Sequence, residues 1–259
     1  MLTWVDDERF VVGDATFRVI PNAASSEEFA DAARSANEAG ELFVAKPRWR
    51  LERYTEVVQH LEPRHVVELG IYQGGSTALF AEIARPRRLV AIDKQAGGHK
   101  PLDDYVLRRR LEDVIHTYDG TDQADSRAIA EIADREFGGE SLDLVVDDCS
   151  HQYEPSRASF NVLFPRLRAG GIYVIEDWPW AHSAVGSEDA EGLYPGQVPL
   201  TRLAFELVLA IPGAPGLIDE IAVDANSLYV TRGDAAVDPA TFDISRCSNP
   251  RGRELLAPA

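Results

Sequence analysis

Short, dense apolar runs alternate along this chain with longer amphipathic stretches, which predicts strands and helices in turn and so an α/β fold. The clearest unit is Val66 to Asp93. Val66 and Val67 feed a buried strand ending at Glu68-Leu69-Gly70, Ser76 opens a helical run through Leu79, Phe80 and Ile83, and Leu89 to Ile92 form the next strand. Upstream, Phe10–Val12 and Thr16–Ile20 flank Gly13-Asp14 as a hairpin. Ser25-Ser26-Glu27-Glu28 supplies capping residues to a helix running to about Ala39, where Gly40 stops it, and a second helix spans about Trp49 to Leu61.

Downstream, the pattern gives a loop Lys94–Pro101, a helix Leu102–Glu112 and a strand Val114–Tyr118, then a helix Arg127–Glu136 and a strand Leu142–Val146. A helix Pro155–Arg168 follows, and Gly170-Gly171 turns the chain into a strand Ile172–Ile175. Beyond Trp180 a loop to Pro199 is long enough to act as a substrate lid, with Trp178, Trp180 and Tyr194 as flat walls or as ordinary packing. Leu200–Ile211 reads as helix, Ile218–Val223 and Ser227–Thr231 as a hairpin around Asp224-Ala225-Asn226, and the tail from Ala235 as an extended arm. The expected organisation is an extension over residues 1–45, one ligand-binding domain over 46–234 and the arm over 235–259.

The turn after the first strand of the Val66–Asp93 unit decides which ligand that unit suits. Its sequence, Gly70-Ile71-Tyr72-Gln73-Gly74-Gly75, has Tyr72 where a dinucleotide fingerprint has the glycine that lets backbone approach a pyrophosphate, which disfavours NAD and FAD. S-adenosylmethionine carries a ribose and no phosphate. Glu68 suits its ammonium, Gly70 and Gly74 suit close backbone approach, and Asp93 at the end of the second strand suits the ribose diol. Asp122 or Gln123, in the Asp119–Asp125 segment, would reach the adenine amino group, while Asp125 or Ser126 would cap the next helix.

Two further strand ends carry Asp147-Asp148-Cys149-Ser150-His151 and Glu176-Asp177-Trp178. Four carboxylates meeting there would raise one another's pKa unless a cation offset them, and oxygen donors suit a hard ion such as Mg²⁺. The competing reading turns some of these acids to solvent or to helix capping. Lys46, Arg48 and Arg50 would flank a substrate entrance or lie on plain surface.

Composition narrows the partners. A formal net charge of −17 over 259 residues disfavours a nucleic-acid phosphate backbone, since such affinity rests on Lys and Arg displacing counterions. No apolar run approaches the roughly 20 residues that span a bilayer, and MLTWVDDERF has no secretory pattern, so a cytoplasmic protein without a membrane partner is expected. Cys149 and Cys247 show no metal spacing and are expected as reduced thiols. The expected assembly is a homo-oligomer.

Taken in order, VVELGIYQGGST, VAID, GTDQAD, LDLVVDDCSH and LRAGGIYVIEDW make the chain from about Lys46 to Arg232 resemble the class I S-adenosylmethionine methyltransferases. More narrowly it resembles the metal-dependent sugar O-methyltransferases of the macrocin type, with cephalosporin hydroxylase-like proteins as relatives. The resemblance implies a Rossmann-like α/β fold whose seven-stranded, mostly parallel sheet takes an antiparallel strand from the C-terminal hairpin. It implies cofactor contacts at Glu68, Gly70, Ser76, Asp93, Asp122 and Gln123, with Tyr72, Gly74 and Asp147 beside them. It also implies metal ligands at Asp148, Glu176 and Asp177, the choice between Asp147 and Asp148 being open, and a general base at His151. The activity implied is Mg²⁺-assisted methylation of a hydroxyl on a glycoside or nucleotide sugar. A non-catalytic partner subunit with the same fold is the alternative.

Overall fold

The computed structural model describes residues 2–20, 26–182, 197–249 and 251, and the chain divides into two compact units, residues 1–120 and 121–259. Seven strands belong to one mostly parallel sheet, the class expected: three from the first unit, four from the second.

In the first unit the predicted hairpin forms as β2 (Arg9–Val12) and β3 (Ala15–Val19), but as part of a four-stranded sheet. β1 (Thr3–Trp4) pairs antiparallel with β2, and β4 (Leu42–Val44) runs parallel to β3. Strands of two and three residues are too short to show a period of two, so neither was visible in the pattern. α1 (Ser26–Glu38) ends ahead of Gly40, whose φ is 73°. The capping residue Ser25 lies outside the described residues. α2 (Arg48–Leu61) follows. Lys46 and Arg50 are each 3% exposed, which corrects their expected place at an entrance or on the surface; Arg48 pairs with Glu52 at 2.9 Å and lies over the Trp4 ring.

β5 (His65–Leu69), α3 (Gly75–Ala84) and β6 (Arg88–Asp93) form the predicted βαβ unit with β5 and β6 parallel, and β7 (Ile115–Asp119) extends the ladder on β6. Gly75 has a packing reason: a Cβ there would sit 1.9 Å from the Phe43 carbonyl oxygen, so only glycine lets α3 start against β4. α4 (Lys100–Arg109) stops sooner than expected because Arg110 turns left-handed, φ 56°.

In the second unit α5 (Ser126–Phe137) begins at Asp125, whose carboxylate accepts from the Ala128 N–H at 3.0 Å and so takes the capping role. β8 (Leu142–Asp147) leads to α6 (Tyr153–Leu163), a 3₁₀ turn over Phe164–Arg166, and β9 (Leu167–Glu176). β9 starts before the glycines expected to precede it. Gly170 and Gly171 lie inside the strand, in a bulge between the pairs Leu142↔Leu167 and Leu144↔Ile172.

α7 (Thr201–Gly213) precedes the predicted hairpin of β10 (Ile218–Val223) and β11 (Ser227–Arg232), and β11 lies antiparallel on β9. The stretch expected as an extended arm folds back: the Phe242 ring lies tilted beside Phe164 and Phe160, at 6.0 and 6.5 Å, and Ile244 opens α8 (Ile244–Ser248) fully buried. Most of the expected lid, residues 183–196 with Tyr194, and the last eight residues lie outside the described residues. Among the described residues no helix is long and apolar enough to cross a membrane.

Candidate active site

In the first unit the candidate cofactor residues cluster at the turn after β5. Gly70 leaves the strand at φ 92°, and Gly74 at φ 82° precedes α3, with Leu102 too close to admit a Cβ. Asp93, at the end of β6, holds the turn between them. One carboxylate oxygen accepts from the N–H groups of Ile71 and Tyr72 at 2.7 and 3.1 Å, and the other accepts from Gln95 N–H at 2.7 Å. The residue expected at a ribose therefore also organises the loop. Glu68, expected at an ammonium, is fully buried on β5 and accepts from the Thr77 hydroxyl on α3. Ser76 is half-buried in the first turn of α3. Tyr72 turns its ring toward Phe29 and Phe43, at 5.7 and 6.4 Å, while its carbonyl accepts from His99.

The second unit gathers the acids. The β8–α6 segment and the segment after β9 bring Asp148, His151 and Asp177 together, one ligand atom from each lying within 4.8 Å of the others. His151 Nε2 is 3.8 Å from Asp148 Oδ1, and its ring packs edge-on against Trp180 with centroids 4.8 Å apart. Glu176, the other expected ligand, is fully buried at the end of β9, opposite Ser227, and is not one of the three gathered groups. Asn226, in the β10–β11 turn, donates to Asp177 Oδ1 at 3.4 Å, and Trp178 Nε1 donates to the Asp224 carbonyl at 3.2 Å. The hairpin so ties down the segment carrying Asp177.

Gln123 and Asp147, both expected at the cofactor, are hydrogen-bonded to each other. Gln123 is 2% exposed; its Nε2 donates to both Asp147 oxygens at 2.7 Å, and its Oε1 accepts from the Ser150 hydroxyl at 2.6 Å and the Ser150 N–H at 3.2 Å. Ser159 and Tyr173 hydroxyls donate to Asp147 at 3.3 Å. The physical reason is burial: a fully enclosed amide and carboxylate must find partners inside. Burial also pushes the Asp147 carboxyl up to about 7, against its hydroxyl donors and the nearby imidazole. Asp122 stays half-buried and accepts from Ala124 N–H at 2.9 Å.

Backbone strain marks the same places. Among the described residues six non-glycines have positive φ, and three of them, Glu62, Arg85 and Arg110, simply end helices. The other three are Tyr72 at 50°, His151 at 52° and Asp177 at 51°. Each carries a cost of about 1–2 kcal/mol that its surroundings must offset, as happens where a side chain's aim matters. Sequence reasoning missed Thr77, His99, Ser150 and Asn226, because each acts through a partner distant in the chain.

Residues 67–178 match the family model described as a methyltransferase domain. Demethylmacrocin O-methyltransferase of Streptomyces fradiae is 34% identical over 149 residues, covering 55% of this chain and 33% of that protein. The rhamnosyl O-methyltransferase of Mycobacterium tuberculosis is 32% identical over 129 residues, 48% of this chain and 49% of that one. The matches thus span between about a third and a half of these curated relatives. Among solved structures, the MycE methyltransferase of the mycinamycin pathway, in complex with Mg and S-adenosylhomocysteine, matches with TM-score 0.56 and 25% identity over 78% of this chain and 54% of that one. An O-methyltransferase from Bacillus cereus in complex with S-adenosylhomocysteine gives TM-score 0.53 at 18% identity, over 82% and 93%. The fold is that of the class I methyltransferases, and residues 67–178 belong to the methyltransferase domain family.

Proposed function

We propose that this chain is an S-adenosylmethionine-dependent O-methyltransferase that methylates a sugar hydroxyl of a glycosylated natural product. The observation that carries the reading is the gathering of Asp148, His151 and Asp177 within a methyltransferase domain. It is supported by relatives named as macrocin-type and rhamnosyl O-methyltransferases. In this reading the Gly70–Gly74 turn and Asp93 receive the cofactor. Asp93 offers about four lone-pair sites, one beyond the three N–H groups it already accepts, so a ribose diol would take the open one and share another.

The donor set fits a hard divalent cation, since two half-buried carboxylates converge beside an imidazole and oxygen donors suit such an ion. Asp148 and Asp177 would hold Mg²⁺, with Glu176 as the further ligand the sequence motif implies. Bound there, the ion would act as a Lewis acid that lowers the acceptor hydroxyl's pKa. In the transfer itself a carbon–oxygen bond forms as the carbon–sulfur bond breaks in line, and His151 takes the hydroxyl proton on its imidazole. Trp180 and Asp148 fix the direction of that ring. The protein is read as a cytoplasmic homo-oligomer.

The test is mass spectrometry of rhamnosides and macrolide glycosides incubated with the protein and methyl-labelled cofactor. Label is expected on a sugar oxygen of at least one glycoside. Calorimetric cofactor binding with no transfer across the panel would favour a non-catalytic subunit.

A further inference from the structure

The backbone of Tyr72 is gripped from both sides. Its N–H donates to Asp93, and its carbonyl oxygen accepts from His99 Nδ1 at 2.7 Å. His99 is 3% exposed and directly precedes α4, and its Nε2 lies 3.3 Å from Asp119 Oδ1 at the end of β7. A carbonyl can only accept, so the Nδ1 proton points at Tyr72. The turn needs a hold on that side. Tyr72 has φ 50°, a conformation that relaxes unless restrained, and it borders a cavity of about 470 Å³ shared with Gln73, Gln95, Gly98 and His99.

The two grips differ in what a cofactor would do to them. Asp93 already accepts three backbone N–H groups, so a ribose diol at its carboxylate must share or displace them. The His99 bond does not involve Asp93 and survives that exchange. We propose that His99 is a positioning residue for the cofactor turn: by fixing the Tyr72 carbonyl it keeps residues 71–74 in the conformation that receives S-adenosylmethionine. This rests on the cofactor role proposed above.

The test is calorimetric binding of S-adenosylhomocysteine to the full chain, compared with melting temperature. The asparagine amide nitrogen occupies the place of imidazole Nδ1, and the glutamine amide nitrogen that of Nε2. His99→Ala and His99→Gln are expected to weaken binding about tenfold, while His99→Asn restores it to within about threefold. His99→Asn and His99→Gln should melt alike, and the loss should appear in the cofactor's KM and not the acceptor's. If His99→Ala does not fold, the Asn and Gln pair decides. Glutamine rescuing as well as asparagine, or alanine binding as tightly as wild type, overturns the inference while leaving the proposed function standing. Wild-type protein that binds no S-adenosylhomocysteine overturns both.

Discussion

Gln123 shows how one side chain can set the aim of several others. Its amide joins Asp147 on β8 to Ser150, which sits between Asp148 and His151. Gln123→Leu would leave a buried carboxylate and a half-buried hydroxyl short of partners. A loss of about 2–4 kcal/mol is expected in denaturant unfolding, since hydrogen bonds to charged groups contribute about 1.5–3 kcal/mol each. A melting curve indistinguishable from wild type would show that the network is replaceable by water. His151 makes a different prediction. His151→Ala should fold and bind cofactor but lose about 10²–10⁴-fold in kcat, the usual value of general-base catalysis. Wild-type kcat in that variant would assign the proton to another acceptor. The motif DDCSH made His151 and Asp148 legible in the sequence because they are neighbours in the chain. Gln123 was legible as a candidate adenine contact after a strand end, and nothing local told that its amide would bond Asp147 and Ser150.

Elements were legible in proportion to their length. The βαβ unit, α5 and the C-terminal hairpin carry full periods of apolar residues and appeared where expected. β1, β4 and α8 are too short for a period, and what fixes them is tertiary: Phe43 against Gly75, and Ile244 and Phe242 against α6. The α8 segment has its own acid lability. Burial works to raise the Asp243 carboxyl, but hydrogen bonds from Ser245 and Asn161 and the nearby Arg157 outweigh it and hold the group below the usual carboxylate range. A depressed folded pKa contributes stability that is present above the unfolded value near 3.8 and lost as pH falls through the folded one. The hydrogen-exchange protection factors of residues 243–248, taken relative to the intrinsic rate at each pH, should therefore fall on acidification below about pH 4, and Asp243→Ala should show the reduced protection already at neutral pH. Protection unchanged in Asp243→Ala would mean that apolar packing alone docks the helix.

On the scale of the whole molecule, 43 acidic against 26 basic residues set the net charge of −17, and most of the acids among the described residues are exposed. Composition disfavours a nucleic-acid partner but says nothing of which acids converge; the gathering of Asp148 and Asp177 required the fold to bring two strand ends together. The Glu176 ligand assignment came from motif order, and the same fold encloses that side chain at the end of β9. The proposed methyl transfer depends on a cation held by these acids. Its decisive test is the initial rate of labelled-methyl transfer to an accepted glycoside, before and after metal removal by chelator and again after Mg²⁺ is restored. The rate should vanish in chelator and return with Mg²⁺, while cofactor affinity is little changed throughout; undiminished transfer by protein shown to be metal-free would overturn the proposal.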